Sequence, residues 1–284
     1  METVACGGAT VRSPMIPLLA PFFSGPLRPY GERVSLANAP YLAAVSPALD
    51  MQQSGLDRQW ASACLHRFGQ ARACSDAPAL AAAWFRDYTL ALLPSALVAA
   101  ARHRHSLPFD AAQLRWQGDE DGRLLRIVLP HDGAGAGEGL RAAMRPRLPA
   151  LLSPLLGMHL PIVAAALADA ARVAPRLLWC TAGVAADGVA RHLAAHPALG
   201  EAARAEIWAW MREPRSADGL RNPFHGAFRP GAEPGVPGVA PVRRICCLNY
   251  RLPAGGLCGT CPRNRLSPGV LPYGGASGAT AAVP

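Results

Sequence analysis

Apolar residues recur every four positions at Leu80, Trp84, Tyr88 and Leu92, between the helix-opening pair Asp76 and Pro78 and an Arg/His-rich stretch near His105. That spacing predicts a long amphipathic helix, with Pro94 expected to kink or split it. A helical pattern also runs from Asp57 to Cys74, and a last helix is expected over about Gly200 to Met211, bearing Trp208 and Trp210. Between Ala112 and Pro130 the period drops to two. Leu114 and Trp116, then Leu125, Ile127 and Leu129, flank Gly118 to Gly122, the signature of a β-hairpin with a five-residue loop. The Ala- and Leu-rich stretch from Leu140 to His196 is interrupted by Pro146, Pro149, Pro154, Pro161 and Pro175, so several short helices are expected there.

The pattern places the chain in the α+β class: a mostly helical body, a small antiparallel hairpin element and a C-terminal lobe. Residues 1–54 read as a variable, partly flexible N-terminal region, because Pro14, Pro17, Pro21, Pro26 and Pro29 recur too often for a regular element. The body spans 55–225, with its hairpin near 112–130. A Pro/Gly linker covers 226–242, a cysteine segment 243–266, and a tail of disordered composition 267–284. At 284 residues and 51% hydrophobic, the chain can bury a sizeable core. Its most apolar run, Thr89 to Ala101, contains Pro94 and is too short to span a bilayer, and the N-terminus lacks the basic-then-apolar order of a secretory signal. A cytoplasmic location is therefore expected, where eight cysteines read as thiols or metal ligands before disulfides.

The net charge is +9, and all 28 basic residues other than histidine are arginine. Seven of them, against the single acid Glu233, fall between Arg221 and Arg265. Such a segment could meet nucleic acid, an anionic surface or a small anion. Tyr250 is its only aromatic apart from Phe224 and Phe228 upstream of the cysteines, which is poor provision for stacking on single strands.

Within that basic segment Cys246, Cys247, Cys258 and Cys261 form C-C-x10-C-x2-C. The C-x2-C turn lets two thiolates converge, with Gly255, Gly256 and Gly259 supplying backbone freedom. Adjacent cysteines are unusual for structural zinc, whose paired ligands are normally separated, whereas an iron-sulfur rhomb offers two metal centres. Chemistry alone leaves three readings open: iron-sulfur, zinc and redox thiols. Cys6, Cys64, Cys74 and Cys180 read as structural or incidental, and the eight histidines show no ligand spacing. No phosphate loop, G-x-S-x-G or H-E-x-x-H motif is present.

The run Arg244-Ile-Cys-Cys-Leu-Asn-Tyr-Arg-Leu-Pro253, continuing to Cys258-Gly-Thr-Cys-Pro262, resembles the C-terminal motif of the FhuF-type ferric siderophore reductase family. A weaker resemblance extends over about residues 60–265, through Arg176-Leu-Leu-Trp-Cys-Thr-Ala182. In that family the Trp is followed two positions later by Asn, and Thr181 departs from the pattern. The resemblance implies a [2Fe-2S] cluster on Cys246, Cys247, Cys258 and Cys261, and one-electron reduction of a ferric siderophore in the cytoplasm. It also implies an external donor such as a ferredoxin or flavin reductase, and kinship of the body with part of certain siderophore synthetases. Arg243, Arg244 and Arg251 are expected to dock substrate or donor. Nucleic acid is not an expected partner, while peripheral contact with the inner face of the membrane is compatible with this reading. The alternatives are a zinc-stabilised four-cysteine binding module, and an iron-sulfur sensor or accessory protein of siderophore metabolism.

Overall fold

The computed structural model describes residues 15–37, 50–51, 55–119, 121–133, 146–216 and 219–264. Cys6, the spacer from Ala134 onward and the tail 267–284 lie outside them. Helix α1 (Arg28–Gly31) is a single turn, followed by α2 (Arg58–Gln70) and the 27-residue α3 (Ala77–His103). Asp57 caps α2 by accepting from the Trp60 amide, and Asp76 caps α3 by accepting from the Ala79 amide. Each bond satisfies one of the orphan donors of a first turn.

Pro94 does not split α3. The helix runs through it, because nearly every face is buried and the packing offsets the roughly 3 kcal/mol that an interior proline costs. Helix α4 (Leu148–Ala171) corrects the sequence reading further. Its prolines were expected to break it into pieces, but Pro154 opens a π turn, Pro154–His159, and the axis continues. Pro149 stands in the first turn of α4, where a missing N–H costs little, and Pro161 follows just after the π turn. Among the described residues α4 is the one helix long and apolar enough to cross a membrane; here its buried faces pack on α2, α3 and α5. The tally of apolar runs in the sequence missed it because the prolines hid its continuity. Helices α5 (Pro175–Ala194) and α6 (Glu201–Arg212) follow, and α5 lies along α3 as the most extensive helix pair in the body.

The expected hairpin is present as β3 (Arg115–Gly118) antiparallel to β4 (Leu124–Leu129). Two further strands make the sheet mixed. Strand β1 (Val34–Leu36) adds parallel to β4 and β2 (Asp50–Met51) antiparallel to β3, giving the order β1-β4-β3-β2. The N-terminal segment, expected to be an irregular lead-in, is thus part of the fold from Met15 onward. Ile16, Leu19, Phe22 and Phe23 are buried in the main core. They pack singly through turns, without helical or strand periodicity, so the pattern along the chain does not reveal them.

The core centres on α3. Trp60 meets Trp84 and Trp116 edge-on, and Trp84 stacks on Tyr88 while donating through Nε1 to the Gly122 carbonyl in the hairpin loop. Tyr88 hydrogen-bonds His159 at 2.7 Å across the core, tying α3 to the π turn. Burial holds His159 neutral, pulling its pKa down to about 4.

Candidate metal centre

The cysteine segment is positioned from two sides. On one side, residues 227–229 and 242–244 pair antiparallel: Arg229 donates to the Val242 carbonyl and the Arg244 amide to that of Ala227, at 2.8 Å each. The stretch 226–242 is therefore no free linker. Ala227, Phe228, Ala232 and Val242 are buried, and Arg191 on α5 donates to the Pro234 carbonyl. Gly183 makes this docking possible. A Cβ there would stand 2.8 Å from Ala227 Cβ and 2.9 Å from the Phe224 carbonyl oxygen, so only glycine lets that chain lie directly on α5. One residue turn away, the Cys180 thiol donates to the carbonyls of Ala227 (3.3 Å) and Ile245 (3.7 Å). This cysteine, structural or incidental in the sequence reading, is structural: it fastens α5 to the residue preceding Cys246, and burial raises its pKa.

On the other side, Arg251 in the short 3-10 turn Asn249–Arg251 forms an ion pair of 2.5 Å with Asp76, the residue that caps α3. One carboxylate so closes the body's central helix and anchors the cysteine segment to it.

Local geometry then shapes the cysteine loop. Leu248, directly after the vicinal pair, sits at φ 60°, the left-handed region, and turns the chain sharply into the 3-10 turn. Gly255 is required by close approach: a Cβ would lie 1.8 Å from the Asn249 carbonyl oxygen. Gly256 and Gly259, read from the sequence as supplying backbone freedom along with Gly255, would meet nothing within 4 Å and have ordinary φ. The C-x2-C turn is closed by the Cys261 amide donating to the Cys258 carbonyl, and Asn264 donates to that carbonyl through its side chain.

Of the four thiols, Cys247 and Cys261 are buried while Cys246 and Cys258 are half-buried. Cys247 Sγ and Cys258 Sγ stand 3.8 Å apart. Two thiolates on one tetrahedral metal at about 2.3 Å lie about 3.8 Å from each other, so this pair already has the spacing of ligands sharing a metal. The hydrogen bond from Cys247 lowers the Cys258 pKa to about 6, and the same bond together with burial raises that of Cys247. Among the described residues no three His, Cys, Asp or Glu side chains stand ready to hold one ion. A rhomb takes its thiolates two per iron, so a preformed pair fits it, whereas the zinc alternative asks for four at one point.

Arg243 supplies a second test of fit. Sequence reading placed it at a docking surface, but the residue is 6% exposed. Its amide donates to the Thr260 carbonyl and its Nε to Thr260 Oγ1, so it stitches the C-x2-C turn to the 227–229 pairing. Its Nη1 is buried without a partner, and its charge acts on Cys180, Cys247 and Cys258. A buried guanidinium with an unused donor beside thiolates fits an anionic cluster. Arg251, though exposed, is paired with Asp76, which leaves Arg244 as the exposed member of the expected docking trio that has no ion pair among the described residues.

Arg244 faces a cavity of about 1000 Å³ between the α4 π turn, the start of α5 and the 210–227 stretch, with Ile245 also in its wall. Trp179, Trp210 and Phe224 give it an aromatic side. Sequence reasoning could not locate this cavity, whose walls come from segments nearly 100 residues apart. Thr181, the position that departs from the family pattern, turns away from it: the side chain is buried and donates to the Leu177 carbonyl within its own helix.

Residues 82–234 match the family model described as ferric iron reductase FhuF-like transporter, and residues 243–263 match that of the FhuF 2Fe-2S C-terminal domain. No curated protein matches the chain. The first stretch alone exceeds half the chain and the second encloses all four cysteines of the motif. The chain therefore belongs to the FhuF-like ferric iron reductase family, and its cofactor is the [2Fe-2S] cluster of that family's C-terminal domain.

Proposed function

We propose that this protein reduces ferric iron held in a siderophore complex by one electron, releasing Fe(II) in the cytoplasm, with Cys246, Cys247, Cys258 and Cys261 as the cluster ligands. The observation that carries the reading is the continuity between cavity and cysteine loop: Ile245 lines the cavity and Cys246 follows it, one peptide step of about 3.8 Å away. When bound, the cluster supplies a one-electron centre whose all-thiolate ligation favours a low potential, near about −400 mV in plant-type examples. The chain's own residues do the rest. Arg243 compensates thiolate charge from inside, Asp76 and Arg251 hold the loop on the body, and the cavity brings a chelate up to the loop.

The substrate Fe(III) is bound by hard oxygen donors. One electron converts it to Fe(II), for which such ligands have much lower affinity, so reduction and release are one event. That electron comes from an external donor, a ferredoxin or a flavin reductase, since the sequence carries no nucleotide or flavin motif.

Mixing anaerobic, dithionite-reduced protein with a ferric trihydroxamate tests this. The EPR signal of the reduced cluster is expected to vanish while one Fe(II) per protein appears with a ferrous chelator. A cluster that stays reduced in the presence of ferric chelates would instead make the protein a sensor or an accessory of siderophore assembly.

A further inference from the structure

Several arginines of the described body are held by carboxylates: Arg28 by Glu32, Arg104 by Glu206, Arg191 by Asp187, Arg251 by Asp76. The three that line the cavity, Arg176, Arg221 and Arg244, have no ion pair among the described residues, and all three are exposed toward solvent. Glu213 is the only acid in the lining, and His225 adds a further group able to carry positive charge. Arg176 and Trp179 belong to the first turns of α5, a 20-residue helix whose positive end therefore borders the same space. Like charges gathered around a concave, low-dielectric wall repel one another, so the arrangement is offset only when an anion enters.

The aromatic side of the cavity matters as much as the charge. Trp179 is half-buried, edge-on to Phe85 and tilted on Phe224, and it adds an apolar surface to the same lining as the arginines. At about 1000 Å³ the cavity lies at the upper end of ordinary ligand sites and suits a bulky chelate better than a small oxyanion.

We infer that this cavity is the substrate site and that it selects ferric chelates of net negative charge, those whose donor groups carry more negative charge than the metal's three positive charges, through Arg176, Arg221 and Arg244. This rests on the reductase reading and narrows it to a substrate class. Arg244 connects the two, because its amide is fixed to Ala227 while its side chain faces the cavity two residues before Cys246.

Redox-inert gallium(III) complexes separate binding from reduction. With cluster-loaded protein, calorimetry should give at least about ten-fold tighter binding of a gallium citrate-dihydroxamate, which is anionic, than of a neutral gallium trihydroxamate, and that preference should shrink with salt. The Arg176→Gln/Arg221→Gln variant should lose about ten-fold in affinity for the anionic complex and stay within about two-fold for the neutral one, with iron and sulfide content intact. Arg229→Gln, an exposed charge outside the cavity, serves as the control and should bind as the parent does. Equal affinity for both complexes, or the same loss in Arg229→Gln, would overturn the assignment. Ferric citrate-dihydroxamate that reoxidises the double variant at the parent rate would also overturn it while leaving the reductase reading intact. Arginine-dependent gallium binding without any reoxidation by the ferric complex would do the reverse.

Discussion

The helical body and the cysteine lobe are held together by different physics. In the body, α3 is buried on almost every face and its neighbours fill one continuous apolar core that includes Leu92, Leu93, Leu97 and the aromatic set around Trp84. Among the described residues the lobe has little apolar packing, a small cluster of Ala227 and Phe228 on Cys180 of α5 and Leu252 against the main core, and order comes from backbone bonds, the buried Arg243 and the Asp76–Arg251 pair. A core that size is stable on apolar burial; a loop of about twenty residues with so little to bury depends on its metal. The body is thus expected to hold its fold without the cluster, and the lobe to depend on it.

The sharpest way to break the comparison is Cys247→Ser. It should abolish the cluster, with iron and sulfide falling to background and reductase activity lost, while far-UV circular dichroism keeps the helical signal of the parent. A body that unfolds with the cluster would refute the separation. The reciprocal change, Leu92→Ala at a fully buried site, should cost about 2–5 kcal/mol in urea unfolding and cost the same in apo and loaded protein.

Acid should act on the body before it acts through the lobe. His159 is buried and neutral with a pKa of about 4 against an ordinary 6.5, so below pH 6.5 the unfolded chain binds a proton that the folded one refuses. Stability should therefore be level above pH 6.5 and fall as pH drops toward 4, by about 3 kcal/mol from this group. Comparing urea midpoints across that range for the parent and His159→Gln checks it: the variant should show a shallower fall.

Within the lobe, Arg243→Gln leaves the Thr260 contacts a partner but removes the buried charge, and redox titration should show the cluster potential moving downward, since the reduced, more negative state loses more. The smallest effect is expected at the hinge between the regions. Arg251→Gln, partly exposed, should change unfolding by only about 0.2–1 kcal/mol yet speed loss of iron to a chelator several-fold. Asp76→Ala should add about 1 kcal/mol for the lost cap of α3. Equal iron-release rates in parent and Arg251→Gln would show that the pair does not couple lobe to body.

The sequence was legible wherever the cause is local. Helices α2, α3 and α6 and the β3–β4 hairpin follow from periodicity and capping residues, and the four cysteines from their spacing, because a C-x2-C turn is built by the residues inside it. What it concealed is equally specific. Prolines in α4 looked like breaks because the sequence does not show that a π turn and buried packing will carry the axis through. Phe22 and Phe23 looked like part of a loose lead-in because their partners lie on distant elements. Arg243 and Arg244 are adjacent and chemically identical in the sequence, yet one is sealed against Thr260 and the thiols while the other opens on the cavity.

By itself, then, the sequence determined the class of the fold, the four-cysteine motif and the basic character of the segment around it, all properties of neighbouring residues. Only the tertiary structure decided which arginine is buried beside the thiols and which opens on a cavity, that this cavity adjoins the cysteine loop, and that Asp76 joins lobe to body. Burial and long-range pairing are set by which surfaces meet when the helices pack, and no window of the chain contains both sides of those contacts.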